Sequence, residues 1–154
     1  MCSFMKFILT NELGRLAKWL RILGFDTDYS LSKNRSELII KSLRENRIIL
    51  TRDCKMSPVS GVRLLRIGHD SVRDQLKQTI KELGINLESA ALFTRCVICN
   101  TGLKDISKEK AKDKVPEYVY NTQEHFVECS KCQRIYWQGT HWGNVQKLLA
   151  EVKK

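Results

Sequence analysis

A layered α/β fold with a mostly parallel sheet, carrying a small cysteine-anchored lobe at its C-terminal end, is predicted by three features of this sequence. Short apolar runs alternate with segments of helical periodicity as far as Gly84, composition shifts near Phe93, and two Cys-x-x-Cys pairs follow that shift. Strands joined by helices carry those helices on the faces of a parallel sheet, so this alternation reads as a sheet covered on both sides. The expected division is an α/β domain over residues 1–92 and a second unit over 93–154 that ends in a helix.

Residues 6–10, Lys-Phe-Ile-Leu-Thr, form a short apolar run suited to a buried first strand. Leu13, Leu16, Ala17, Leu20 and Leu23 recur at helical spacing, and Gly24 stands where a helix C-cap belongs. Residues 25–30 read as a second strand. Ser36 is placed to cap a helix through about Glu45, with Leu38, Ile39 and Leu43 inward. Residues 47–51, Arg-Ile-Ile-Leu-Thr, are the strongest strand by β-propensity. A loop with Pro58 and Gly61 leads to a fourth strand at 62–67, then a helix from about Ser71 to Leu83. Ligands of such sheets bind beyond the carboxyl ends of the strands, which singles out Thr10 to Glu12, the turn near Ser30, and Thr51 to Asp53. No glycine-rich phosphate loop follows any strand, so a nucleotide cofactor has no support.

The 154 residues carry 27 basic and 17 acidic side chains, a net charge of +10. The excess is +6 over residues 1–92 and +4 over 93–154, so it is spread through the fold and not held in a tail. A field of this sign favours polyanions, with nucleic acid the expected partner. No stretch approaches the ~18 apolar residues that would cross a bilayer, so no membrane partner is expected. The first apolar run is too short for a secretory signal, and a cytoplasmic location is expected. Met5 could equally serve as a start, since Lys6 opens the first patterned segment.

Cys96-Val-Ile-Cys99 and Cys129-Ser-Lys-Cys132 lie 29 residues apart. A two-residue gap lets both thiolates of a pair reach one ion from a tight turn, and two such turns complete a tetrahedron with Zn–S bonds of about 2.3 Å. Four thiolates leave no open position, so the zinc is expected to be structural, anchoring a zinc ribbon too small for a good core of its own. An iron–sulfur cluster or a redox pair are the rarer uses of this spacing. Cys2 and Cys54 read as plain thiols.

Acids near the predicted strand ends are Glu12, Asp53 and, one helix turn into the second unit, Glu37. Clustered carboxylates there would hold Mg²⁺ or Mn²⁺ and activate water against a phosphodiester; the competing reading is ordinary helix-end acids. Arg15, Lys18 and Arg21 make the polar side of the first helix cationic, with Trp19 nearby and Arg52 beside Asp53, a set suited to seating phosphates. In the ribbon, Tyr136, Trp137, His141 and Trp142 accompany Lys131 and Arg134. Aromatics between cations suit stacking on unpaired bases, although small ribbons also bury such rings against the zinc turns, and burial of Trp137 or Trp142 is expected.

The run from Phe7 to Asp26 (FILTNELGRLAKWLRILGFD), then Leu50-Thr51-Arg52-Asp53, Arg95-Cys96 to Asn100, and Tyr136-Trp137-Gln138-Gly139-Thr140-His141-Trp142 occur in this order. Together they resemble the PIN-like ribonuclease domain with a fused zinc ribbon, found at the C-terminus of mutator-type exonucleases and as stand-alone prokaryotic proteins. The resemblance spans nearly the whole chain. It implies a PIN-like three-layer α/β/α sandwich and a metal-dependent ribonuclease acting in RNA processing or decay. Where that family places an acid after the first strand, this sequence has Thr10; Asp53 matches the Leu-Thr-Arg-Asp pattern, and Glu37 is the acid near the second helix. A hydroxyl in place of a metal-bridging carboxylate removes charge from the site, so the resemblance also admits a catalytically impaired module that binds RNA or a ribonucleoprotein.

Overall fold

The computed structural model describes residues 5–153, and the side chains of Ser89 and of residues 140–143 lie outside the described set. The first half alternates as β1 (Lys6–Leu9), α1 (Gly14–Ile22), β2 (Asp26–Tyr29), α2 (Arg35–Glu45), β3 (Ile48–Thr51), β4 (Leu64–Arg66) and α3 (Val72–Leu83). The four strands are all parallel, in the order β2-β1-β3-β4. Phe7, Ile8, Leu9 and the whole of β3 are buried, as expected of central strands covered on both faces.

Alternation along these strands divides the core. Phe7, Leu9, Ile48 and Leu50 meet Leu16 and Leu20 of α1, Leu76 of α3, and Val145, Leu149 and Val152 of the last helix, α6 (Thr140–Lys153). Ile8 and Ile49 face the other way, onto Leu38 of α2 and Met56. The result is an α/β/α layering. The sequence assigns the terminal helix to the ribbon unit, yet α6 packs on α3 and adds its apolar stripe to the main core.

Two local readings are corrected. Asn34, not Ser36, caps α2: its Oδ1 accepts from the N–H groups of Ser36 and Glu37. Leu43 is 51% exposed rather than inward, with Ile40 at 53%. The buried stripe of α2 runs instead through Leu38 and Ser42, because the Ser42 hydroxyl donates to the Arg47 carbonyl at 2.6 Å and closes the α2–β3 turn.

Between β5 (Leu103–Ile106) and β6 (Phe126–Cys129) lie two short helices, α4 (Lys108–Ala111) and α5 (Glu117–Thr122). With β7 (Ile135–Tyr136) the strands form a three-stranded antiparallel sheet, β5-β6-β7. Its own core is small: Ala111, Val119 and Phe126 are buried, with Ile106, Val115, Ile135 and Trp137 packed around them.

A buried guanidinium ties the two sheets' neighbourhoods together. Arg47 Nη1 donates to the carbonyl of Phe7 at 3.1 Å and to Asp26 Oδ1 at 2.9 Å, while Asn100 Nδ2 donates to the same Asp26 oxygen at 2.7 Å. Burial pushes the Asp26 carboxyl up, but the hydrogen bonds from Arg47 and Asn100 outweigh it and hold it below the usual carboxylate range. A depressed folded-state pKa contributes stability that is present above the unfolded value of about 4 and lost as pH falls through the folded one. Asp26→Asn is therefore expected to lower stability at pH 7 by about 1–2 kcal/mol, a figure discounted because Asp26 is partly solvated. Urea midpoints of the two proteins should converge below about pH 4, where the wild-type advantage titrates away. A gap that stays constant down to pH 2 would show that the charge is irrelevant.

Candidate functional site

The strand order reverses at β1 and β3: the chain leaves β1 for β2 on one side, and α2 returns it to β3 on the other. Parallel sheets open a crevice beyond the carboxyl ends of the strands at such a point. A cleft of about 400 Å³ lies there, lined by Thr10–Glu12 after β1, Ser32–Arg35 after β2, and Arg52 and Asp53 after β3.

Glu12 sits in a 3-10 turn (Asn11–Leu13) that turns the chain from β1 into α1. Its Oε1 accepts from the Thr10 hydroxyl at 2.5 Å and from the Arg52 backbone N–H at 2.9 Å, with Thr51 Oγ1 at 3.4 Å. Partial burial pushes this carboxyl up, but the donors more than offset it and hold it below its ordinary value. Thr51 is wholly buried and accepts from the Asp53 N–H at 3.0 Å, which fixes the turn leaving β3. Asp53 accepts the Lys55 N–H on Oδ1 at 2.9 Å and pairs with Arg35 Nη2 through Oδ2 at 2.7 Å. The Lys55 amide, together with Arg35, holds its carboxyl below the usual range. Arg52 is itself paired, Nη2 lying 2.6 Å from Asp70 Oδ1.

Four of the sequence-predicted site residues therefore meet in one cleft: Thr10, Glu12, Arg52 and Asp53. Glu37 does not line it; it occupies the first turn of α2 and accepts from Ser32 Oγ at 3.0 Å. Arg15 and Lys18 are exposed on α1, just past the Glu12 turn. Arg21 belongs elsewhere. It is 7% exposed, and its donors are committed to the carbonyls of Thr27, Val97 and Ile98 at 2.9–3.0 Å, so it joins α1 to β2 and to the first cysteine turn and is not offered to a phosphate. Arg134 is exposed in the second cysteine turn, and Trp137 is half-buried against the Phe126 cluster. The side chains of His141 and Trp142 lie outside the described residues. Sequence reasoning missed Arg35 and its neighbours Lys33 and Asn34; the signal was the segment after β2, whose end must share the cleft with β1.

The second centre is the cysteine cluster. Sγ atoms of Cys96, Cys99, Cys129 and Cys132 all lie within 4.8 Å of one another, with separations of 3.3 Å (Cys99–Cys129), 3.4 Å (Cys96–Cys132) and 3.7 Å (Cys99–Cys132). A tetrahedron of sulfurs about Zn²⁺ has edges of about 3.8 Å, so the set fits a closed structural zinc site. Each pair is carried by the same turn. Asn100 N–H bonds Cys96 O and Gln133 N–H bonds Cys129 O, both at 2.9 Å, and Asn100 (φ 72°) and Gln133 (φ 61°) are both left-handed. Around the sulfurs, Tyr136 Oη stands 3.0 Å from Cys96 Sγ and the Cys132 N–H 3.4 Å from Cys129 Sγ, the kind of outer donors that steady thiolates. No other group of three metal-ligating side chains converges among the described residues.

The family model of the Mut7-C RNAse domain matches residues 5–149, which takes in both the cleft and the cysteine cluster. No curated protein and no solved structure matches the chain. Among the described residues no helix is long and apolar enough to cross a membrane.

Proposed function

The chain belongs to the Mut7-C RNAse domain family, and from that premise we propose that it acts on RNA at the β1/β3 cleft as a divalent-metal-dependent ribonuclease in RNA processing or decay. The observation that carries this reading is the convergence of Glu12 and Asp53 with the cations Lys33, Arg35 and Arg52 at the sheet's switch point. Mg²⁺ is commonly held by one or two carboxylates together with substrate phosphates. Glu12 and Asp53, which both line the cleft, supply such a pair. Such an ion, when bound, would activate water and offset charge on the phosphoryl group.

The chain's own residues have separate tasks in this scheme. The Arg52 N–H and the Thr10 hydroxyl orient Glu12 and keep it ionised. Arg35 neutralises Asp53 at rest, and an incoming phosphate competes for the same guanidinium, releasing the carboxylate as the strand docks. Arg15 and Lys18 extend the cationic track along α1, and Arg134 supplies a cation on the ribbon. The test is cleavage of a labelled single-stranded RNA with Mn²⁺ or Mg²⁺. Glu12→Gln and Asp53→Asn are each expected to slow it at least about a hundredfold; a rate that survives both changes would sink the assignment.

One observation favours a second reading, in which the domain grips RNA or a ribonucleoprotein without cutting. Thr10 brings no charge to the cleft, and Asp53 is already satisfied by Arg35. That reading expects salt-dependent RNA binding with no product at any divalent-ion concentration.

A further inference from the structure

The ribbon sheet has two unlike faces. Ile106, Phe126 and Ile135 point to the side covered by α4 and α5. On the opposite side Asp105, Val127 and Tyr136 stand in register across β5, β6 and β7. With Phe93, Trp137 and His125 they line a cavity of about 230 Å³ to which no described helix contributes. This volume is smaller than the ~300–1,000 Å³ of drug-sized pockets, so it suits one ring system without its sugar and phosphate.

Its aromatic walls are fixed before any ligand arrives. Tyr136 is tethered through its hydroxyl to Cys96 Sγ. The Trp137 indole is held on one side by the Phe126 cluster, and the chain passes so close at Gly139 that a Cβ there would lie 3.1 Å from Nε1. Phe93 adopts a left-handed backbone (φ 58°), rare for a bulky residue, and its N–H bonds Ile22 O at 2.9 Å. Rings that have already lost their rotamer freedom stack at little further entropic cost. At the rim, His125 Nε2 and Asp105 Oδ1 lie 3.1 Å apart and exposed, presenting polar atoms beside an aromatic slot. The lobe around it, residues 93–139, carries a net charge of +2. A flat ligand attached to a polyanion meets all of these features.

We propose that this cavity seats a single unpaired nucleobase of the RNA strand, stacked on Trp137 and Tyr136, with His125 and Asp105 meeting its polar edge. The inference rests on RNA being the ligand, and its test separates the two. Fluorescence anisotropy in metal-free buffer, with protein zinc-loaded, would compare a labelled oligouridylate with a strand of equal length lacking bases. Trp137→Leu, which keeps apolar bulk against Phe126, should weaken oligouridylate binding about tenfold and leave the abasic strand unaffected. His125→Ala, at an exposed position that needs no repacking, should cost about threefold on the oligouridylate alone. Equal losses on both strands, or none with either variant, would overturn the base seat; if Arg35→Ala still weakened binding, RNA recognition at the cleft would stand. Failure of the wild type to bind the oligouridylate at all, in this buffer and again with Mn²⁺ added, would overturn both readings.

Discussion

Stripping the zinc with a chelator, or replacing Cys129 by Ala, is expected to destabilise the α/β core together with the ribbon. The ribbon's own buried cluster is three side chains, Ala111, Val119 and Phe126, too little to order about 50 residues. Metal binding in small zinc modules contributes on the order of 10 kcal/mol, which here is folding free energy for the lobe. The loss does not stop there, because β2 is an edge strand and the first cysteine turn holds its Thr27 N–H and the Arg21 side chain that braces it. The Thr27 N–H donates to Asn100 Oδ1 at 3.0 Å, and Arg21 Nη1 reaches the Val97 and Ile98 carbonyls. When that turn opens, Arg21 and the Thr27 N–H lose these acceptors to water, at about 0.5–1.5 kcal/mol for each hydrogen bond. Asp26 also loses Asn100 and leans on Arg47 alone. Hydrogen exchange gives the decisive measurement. The Thr27 amide should lose protection on chelation and regain it with added Zn²⁺, whereas Cys54→Ser, at an exposed thiol, should change nothing. A Thr27 amide equally protected without metal would show that the lobe and the sheet are energetically independent.

This coupling also shows what the sequence can reveal and what it hides. Periodicity marks β1, α1 and β3 because their burial is one-dimensional: Phe7 to Leu9 and Ile48 to Leu50 are continuous apolar runs, and the α1 stripe repeats at helical spacing. The cysteine spacing carries the zinc centre for the same reason, since each turn is local. Arg21 is where local reading fails. On a helix wheel it belongs with Arg15 and Lys18, and only the arrival of residues 97–100 from far along the chain turns it into a buried strut. Arg35 was missed for a related reason: nothing within its own segment indicates that Asp53 lies opposite. Leu43, expected inward, is exposed, and Ser42 takes the inward position, where its hydroxyl bonds the Arg47 carbonyl at the entry to the following strand. The α6 helix, assigned by sequence adjacency to the ribbon, is claimed by the larger core.

Thr10→Asp is expected to convert the cleft from a hydrogen-bonded state into one that depends on a divalent ion. The wild-type hydroxyl sits 2.5 Å from Glu12 Oε1 and donates to it; a carboxylate in its place removes that donor and sets two negative charges side by side. Two such groups cannot both ionise cheaply, so one pKa rises, and the variant should lose up to about 1 kcal/mol at pH 7 without metal, a figure reduced by solvent screening because Glu12 is exposed. The sign follows from the direction of the shift. Wild-type Glu12 is depressed, so its contribution is present at neutral pH and lost on acidification. The variant's raised pKa does the reverse, and its deficit should vanish as pH falls toward 4 and the pair shares a proton. Added Mn²⁺ should restore the thermal midpoint of the variant by several degrees and that of the wild type by less, because three carboxylates bind a hard cation better than two. Thr10→Asn, close in shape and uncharged, should show no such rescue. If RNA cleavage rises at least about tenfold in Thr10→Asp with Mn²⁺, the wild-type threonine is what restrains the chemistry. Stability and cleavage both indifferent to Mn²⁺ in this variant would remove the β1 end from the metal site and leave the cleft as a phosphate-binding surface.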